Sequence, residues 1–334
     1  MDSFIFTQPT TVDQAIQSAA KSPTAQQGAR VRFVAGGTTL IDLMKLNVER
    51  PQEIVDINGL PLDGIEPSPT GGLVLGALAR NSDVARHPTV VRDYPVLAQA
   101  LLSGASPQLR NMATTAGNLL QRTRCVYFRD TAHACNKREP GTGCSAIDGH
   151  NRMLAILGTS KDCIASNPSD QNVALTAVEA TIQIQGSRGK RSIPIHDFYL
   201  VPGSTPNREN VLEPGDIITS VTLPPPITGA QSTYLKLRDR AAYEFALTSA
   251  AIVMKISDGK IQHIRVALGG VGTKPWRSIE AEQALEGHAP DRAAFVKAAE
   301  AALKDAHPAS ENAFKVELSR RCIVRALTMS TKSV

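Results

Sequence analysis

The sequence predicts an α+β protein with more than one domain, and three observations support this prediction. The chain has 334 residues, 42% of them hydrophobic, which is enough for two or three buried cores. Short segments that alternate apolar and polar residues are interspersed with segments of helical periodicity. Three consecutive prolines at 224–226, followed by Gly229, predict a linker between an N-terminal part and a C-terminal part.

The N-terminal part begins with a predicted helix at 12–19, which Thr10 or Thr11 caps and whose apolar residues share one face. A strand is predicted at 30–35, where polar and apolar residues alternate, and helical spacing resumes at Leu40. Further runs of these two patterns predict strands at 53–57, 73–78, 181–185, 192–195 and 217–223, and helices at 84–91, 97–102 and 174–179.

The C-terminal part opens with an alternating strand at 233–237. Asp258 and Gly259 lie between two apolar runs and predict a β-hairpin of strands 250–256 and 261–268. Helical spacing predicts helices at 279–285, 292–303 and 314–329. Cys322 lies among apolar residues of the last helix, so we interpret it as a buried core thiol and not as a ligand.

Composition excludes several classes of function. The net charge is +5, but Lys and Arg are spread along the chain and aromatic residues make up only 4%, which does not favour nucleic-acid binding. The sequence contains no run of eighteen apolar residues, so no membrane span is predicted. The N-terminus carries acidic Asp2 and a polar continuation in place of an export signal, so the sequence taken alone predicts a cytoplasmic chain. No Ser/His/Asp arrangement or pair of carboxylates indicates hydrolysis, and no catalytic residue is predicted.

Four of the five cysteines fall within residues 125–163, at spacings C-x9-C-x8-C-x18-C. Two disulfides are disfavoured because a chain of this length builds cores without them, and an all-cysteine zinc site usually contains closely spaced pairs that are missing here. An iron–sulfur cluster accepts widely spaced thiolates from a loop, and the glycines and the single proline between these cysteines predict such a loop. The candidate ligands are Cys125, Cys135, Cys144 and Cys163.

Two polar loops are candidates for binding phosphate. In the first, two glycines and two threonines separate the strand at 30–35 from the helix that begins at Leu40, so backbone N–H groups and a helix N-terminus are available to an anion. The second, at 106–120, is rich in Thr, Gly and Asn, which offer many donors at short range. An ordinary turn is the alternative interpretation of both loops.

The sequence at these positions resembles a known family. Residues 124–170, together with VAGGTTLIDLMKLNV at 34–48, SPQLRNMATTAGNLL at 106–120 and ALGGVGTKPWR at 267–277, resemble the FAD-binding, [4Fe-4S]-containing subunits of bacterial molybdenum aldehyde oxidoreductases in the xanthine oxidase family. The resemblance implies a two-subdomain FAD-binding domain of the PCMH type at 1–226, with a [4Fe-4S] insertion at about 121–165. A small α+β domain like that of CO-dehydrogenase flavoproteins would follow at 227–334.

The resemblance also implies site residues. The four cysteines would bind one [4Fe-4S] cluster, and Asp170 would contact FAD, although on sequence alone it could instead cap the helix that follows. Asn118 precedes Cys125 by only seven residues, so at about 3.3 Å per residue an FAD that contacts Asn118 would lie within about 25 Å of Cys125, and the two cofactors would be neighbours. The implied FAD contacts are Ala35, Gly36, Gly37, Thr38, Thr39, Leu40, Thr114, Gly117, Asn118, Asp170 and Lys236.

The function implied is electron transfer within a heterotrimer. A large partner subunit would carry molybdopterin and oxidise aldehydes to carboxylic acids, and a small partner would carry two [2Fe-2S] clusters that reduce FAD here. FAD would then reduce an external acceptor. The resemblance points to the periplasm, reached by export with a signal-bearing partner. Two alternatives are a stand-alone flavin oxidase of the vanillyl-alcohol oxidase type and a zinc-stabilised interaction module without enzymatic activity.

Overall fold

The computed structural model describes residues 1–331, and the first of its three sheets is parallel. Its strands are β1 (Ile5–Thr7), β2 (Val31–Val34) and β3 (Glu53–Asp56), in the order β1-β3-β2, and the connecting helices are α1 (Val12–Ala19) and α2 (Leu40–Lys45). Parallel pairing requires such crossover helices. Thr11 is the residue that caps α1, because its side chain accepts a hydrogen bond from the Gln14 N–H at 3.2 Å.

The second sheet is antiparallel and has five strands in the order β4-β5-β8-β6-β7. They are β4 (Ile65–Pro67), β5 (Leu73–Gly76), β6 (Thr181–Gly186), β7 (Gly189–Pro194) and β8 (Ile217–Leu223). The helices of this part are α3 (Asn81–Arg86), α4 (Pro88–Asp93), α5 (Pro95–Ser103), α6 (Pro107–Met112), α7 (Thr115–Leu119), α8 (Val126–Arg129), α9 (Asp170–Ala177) and α10 (Ile195–Phe198). A large hydrophobic core lies between this sheet and helices α3, α5 and α9.

The third sheet and three helices form the C-terminal part. Its antiparallel strands are β9 (Gln231–Leu237), β10 (Thr248–Ser257), β11 (Lys260–Gly269) and β12 (Trp276–Arg277), in the order β12-β11-β10-β9. Helices α11 (Ile279–Leu285), α12 (Arg292–Leu303) and α13 (Phe314–Thr331) share a second core with this sheet. The hairpin is confirmed: Asp258 and Gly259 have φ of 51° and 71°, the left-handed pair that a type I′ turn requires.

Several predicted boundaries were wrong. The helix predicted at 84–91 is two helices, because Pro88 begins α4 and the preceding His87 adopts extended backbone. The helix predicted at 174–179 is α9, which begins at Asp170 and ends before Glu179, a residue in left-handed conformation with φ of 56°. The last strand before residue 195 starts at Gly189, three residues earlier than predicted. The short helices α6 and α7 were not predicted.

The cysteine-rich segment at 121–165 connects the other parts of the fold. Apart from α8 it consists of loops, joined by isolated bridges between Cys135 and Cys144 and between Leu157 and Gly272. Three of its cysteines share a small core with Leu43 of α2. The segment therefore packs on the first sheet's helix on one side and pairs with the C-terminal part on the other. Within residues 1–331 no helix is long and apolar enough to cross a membrane.

Candidate cofactor site

A cavity of about 210 Å³ lies against the loop that follows β2. Gly36 lacks room for a side chain, because a Cβ there would overlap the carbonyl oxygen of Met112, and Gly37 has φ of 69°. The first polar loop thus passes in direct contact with the backbone that leads into the second. All six predicted residues of the first loop line this cavity: Ala35, Gly36, Gly37, Thr38, Thr39 and Leu40.

The second polar loop reaches the same cavity and extends it. Thr114 caps α7 by accepting from the Gly117 N–H at 3.2 Å, and both residues line the cavity. A wider cavity of about 890 Å³ adjoins the first, since Thr38, Thr39 and Gly117 line both. Because they share this lining, the two cavities form one groove.

Three more of the predicted residues lie in the wider cavity: Asn118, Asp170 and Lys236. The Asp170 carboxylate accepts hydrogen bonds from the Tyr234 hydroxyl at 2.5 Å and from the Lys236 ammonium at 2.7 Å. Ser169 caps α9, so the alternative role of Asp170 as the cap was wrong. Burial, followed by the neighbouring Asp170 carboxylate, raises the pKa of Tyr234 well above its usual value. Tyr234 therefore stays protonated and donates to the carboxylate.

A chain of alternating charges runs from the groove towards the cysteines. Arg32 pairs with Glu49 at 2.9 Å, Arg122 pairs with both Glu49 and Glu209, and Lys137 pairs with Glu209 at 3.0 Å. Burial raises the pKa of Glu209, but Arg122 and Lys137 outweigh it and hold that pKa below its usual value. The charges at the two ends of this chain are thus fixed relative to one another.

All four predicted cysteine ligands line one small cavity. Cys125, Cys135 and Cys163 are buried, Cys144 is half-buried, and all four are free thiols. The loop between the middle two is closed by Asn136, whose side-chain oxygen accepts from the N–H groups at 141 and 143. The structure thus brings together cysteines that are up to 38 residues apart in sequence, from 125 to 163.

The surroundings of these thiols determine their chemistry. Burial raises the pKa of Cys125 to about 12 and also raises the pKa values of Cys144 and Cys163. Lys137 opposes the shift at Cys163, and the Ala165 N–H donates to the Cys163 sulfur at 3.5 Å. Buried thiols with such pKa values become thiolates only when a cation or cationic cluster binds them.

The cysteine cavity adjoins the groove. The two neighbours of Cys125 in sequence, Arg124 and Val126, line the wider cavity. Within residues 1–331 no three or more His, Cys, Asp or Glu side chains lie close enough together to bind one metal ion. A single zinc ion, for example, requires Zn–S distances of about 2.3 Å. The four thiols instead surround a space.

Residues 2–226 match the family described as the FAD binding domain in molybdopterin dehydrogenase, and residues 233–330 match the CO dehydrogenase flavoprotein C-terminal domain. The chain belongs to this molybdopterin dehydrogenase flavoprotein family. It therefore binds FAD, and the predicted fold, an FAD-binding domain followed by an α+β domain of the CO-dehydrogenase type, is confirmed.

Individual relatives agree with the family. The aldehyde oxidoreductase FAD-binding subunit PaoB of Escherichia coli K12 is 48% identical over 328 residues, which cover 98% of each chain. The carbon monoxide dehydrogenase medium chain of Hydrogenophaga pseudoflava is 28% identical over 308 residues, or 90% of each chain. A solved structure of carbon monoxide dehydrogenase from the same organism matches with a TM-score of 0.77 at 26% identity, covering 99% of this chain and 98% of that chain.

Sequence reasoning missed part of the site. Tyr234 could have been found, because alternation along β9 places it on the same face as Lys236. The charge chain from Arg32 to Lys137 and the segment at 212–218, which closes one side of the first cavity, have no comparable local signal. The FAD and cluster contacts of individual residues stay predictions.

Proposed function

We propose that this chain is the electron-transfer FAD/[4Fe-4S] subunit of a heterotrimeric molybdenum aldehyde oxidoreductase. The family makes it a flavoprotein component of a molybdenum-containing enzyme, and the 48% identity to PaoB over 98% of both chains supports the aldehyde as substrate. The observation that carries the proposal is the groove, which both polar loops line and whose wall includes the residues beside Cys125. The FAD and the cluster would thus lie on opposite sides of one wall.

The groove's two halves suit the two halves of FAD. Backbone N–H groups of the first loop and the hydroxyls of Thr38 and Thr39 would hold the diphosphate, at the point where the cavities meet. The wider cavity would take the isoalloxazine ring, beside the buried pair of Asp170 and Lys236. When bound, FAD supplies a ring that accepts two electrons and passes them on. The chain's residues hold that ring and exclude water from its buried side.

The cysteine cavity suits a cubane cluster better than a single ion. Its four cysteines come from separate loops and surround a space, and backbone N–H groups approach the sulfurs of Cys125, Cys144 and Cys163. Lys137 lines the same cavity and supplies positive charge beside thiolates. Both features favour an anionic cluster with four thiolate ligands.

The cluster would also act as a scaffold for the groove. Leu43 of α2, the helix that directly follows the first polar loop, packs in the cysteine core, and Asp42 of the same helix accepts from Arg129 at 2.8 Å. On the other side, Asn151 bonds to the segment at 310–312 before α13. A cysteine segment that loses its cluster would release both attachments, so loss of iron should weaken FAD binding.

The partners and the location are part of the proposal. A molybdopterin-binding large subunit would oxidise the aldehyde, and a small subunit with two [2Fe-2S] clusters would deliver the electrons to FAD. An external acceptor would then take them from FAD. We place the assembly in the periplasm, reached by export with a partner that carries the signal; the cytoplasm is the alternative. Fractionation of cells that express all three subunits would decide between the two.

An anaerobic visible spectrum of the purified chain, with iron and acid-labile sulfide analysis, tests the cofactor content. We expect flavin bands and about four irons per chain, the number in a cubane. Flavin without iron would refute the cluster while leaving the FAD site. Zinc without iron or flavin would favour the interaction module, and aldehyde oxidation by the isolated chain would favour the stand-alone oxidase.

Replacement of Cys135 with Ser tests the scaffold. We expect this variant to lose iron and FAD together, whereas Cys322→Ser, a buried thiol on α13 outside the cysteine cavity, should keep both. FAD content is read from absorbance after denaturation, and iron by chelation. A Cys135→Ser chain that keeps FAD but transfers electrons slowly would show that the cluster is a relay and not a scaffold.

A further inference from the structure

Lys315, in the first turn of α13, is a lysine with no exposed surface. Its ammonium donates to three backbone carbonyl oxygens: Gly270 at 2.7 Å, Leu154 at 2.9 Å and Met153 at 3.2 Å. An ammonium has three donors, so these three acceptors satisfy it fully. Because they come from two distant segments, the lysine fastens the cysteine segment to the turn after β11.

The surroundings of Lys315 differ from those of the other buried lysines. Lys137 pairs with Glu209 and Lys236 pairs with Asp170, whereas none of the hydrogen-bond partners of Lys315 within residues 1–331 is a carboxylate. Burial, followed by the like charge of Arg152, lowers the pKa of Lys315 to about 7. A buried cation without a counter-ion is costly, which points to a role beyond packing.

The position of Lys315 relates it to the groove. Met153, Leu154 and Gly270, the residues whose carbonyl oxygens it binds, all line the wider cavity. The ammonium is therefore bonded directly to the backbone of that cavity's wall. Its charge adds to the electrostatic potential inside the cavity, which also depends on the charged side chains that line it, such as Arg110 and Arg124.

We propose that Lys315 is a positioning residue that holds this wall in place and supplies the positive charge that favours reduction of the bound flavin. The inference rests on the proposed placement of the isoalloxazine ring in the wider cavity. Reduction adds negative charge to the ring, and a nearby cation without a counter-ion stabilises that charge. The pairs at Lys137 and Lys236 are each neutralised by a carboxylate and supply less.

The test is a spectroelectrochemical titration of the full-length, FAD-loaded chain at pH 6, below the Lys315 pKa of about 7, so that the ammonium is protonated. We expect the flavin midpoint potential of Lys315→Met to be more negative than that of wild type. The potential of Lys315→Arg, which keeps the charge, should be closer to that of wild type. Lys304→Met, which removes the same charge from the exposed end of α12, should leave the potential unchanged. Thermal melting and FAD titration of the same variants report the packing role separately.

An unchanged midpoint potential in FAD-loaded Lys315→Met overturns the proposal, even if melting temperature and FAD affinity fall, since a lysine that only holds the wall would give that result. If Lys315→Met is insoluble, Lys315→Gln, which keeps two N–H donors without the charge, carries the same test and the same criterion. A wild-type chain that binds no FAD would overturn the proposed function instead, so the two failures are distinguishable.

Discussion

Replacing Asp170 with Asn should destabilise the protein strongly. The substitution keeps the size of the side chain but removes the counter-ion of Lys236, whose side chain is only 3% exposed and would be left as a buried, uncompensated cation. Breaking a buried pair in this way costs about 3–5 kcal/mol of the free energy of unfolding. Urea denaturation of the FAD-free chain, followed by circular dichroism, measures the loss. At a hundredfold excess over its dissociation constant, FAD adds about 2.7 kcal/mol of stability to a chain that binds it, so the ligand must be removed first.

A double-mutant cycle sharpens this prediction. Lys236→Met alone should also destabilise, because it leaves the Asp170 carboxylate with only the Tyr234 hydroxyl. The double variant should lose less than the sum of the two, since replacing both partners leaves no buried charge without its counter-ion. Asp93→Asn, at an exposed pair with Arg92, is the control and should cost at most about 1 kcal/mol. A loss below about 1 kcal/mol for Asp170→Asn, or strict additivity in the cycle, would refute the reasoning.

Three further changes test other parts of the site. Gly36→Ala should weaken FAD binding at least about tenfold, or about 1.4 kcal/mol, because its methyl group displaces the first polar loop from the second; fluorescence titration measures this. Leu43→Ala should lower the free energy of unfolding by about 2–5 kcal/mol and reduce iron content, since Leu43 is buried against the cysteines. Glu209→Gln should flatten the acid side of the stability profile: the folded pKa lies below the usual 4.5, so this glutamate stabilises the fold above that pH and loses the effect as pH falls through the folded value.

Each of these three predictions has an outcome that would contradict it. Gly59→Ala is the control for the loop, because a Cβ there meets nothing within 4 Å, and equal FAD affinities for the two alanine variants would contradict the crowding at Gly36. Normal iron content in Leu43→Ala would show that the packing of α2 against the cysteine core is not needed for iron binding. An unchanged acid transition in Glu209→Gln would mean that the two basic neighbours do not stabilise the carboxylate.

Local sequence patterns predicted much of the fold correctly. The hairpin at Asp258 and Gly259 needs two residues that tolerate positive φ, and the cap at Thr11 needs one hydroxyl in the right place, so both are written in a few consecutive residues. The break at Pro88 was missed although its cause is also local, because periodicity alone does not show where a proline interrupts it. Asp170 was the alternative candidate for the cap of α9, which is in fact Ser169, since both residue types serve equally well.

The sequence identifies the candidate groups: four spaced cysteines, two polar loops, and an aspartate and a lysine implied by resemblance. Which of these groups lie in contact depends on the tertiary structure. The pairing of Asp170 with Lys236 joins residues 66 positions apart, the contact of Gly36 with residue 112 joins two loops, and Lys315 reaches carbonyl oxygens from two other segments. Such contacts depend on how sheets and helices pack, and a buried charge has no signature in its neighbours along the chain. Its environment is created only when the chain folds around it.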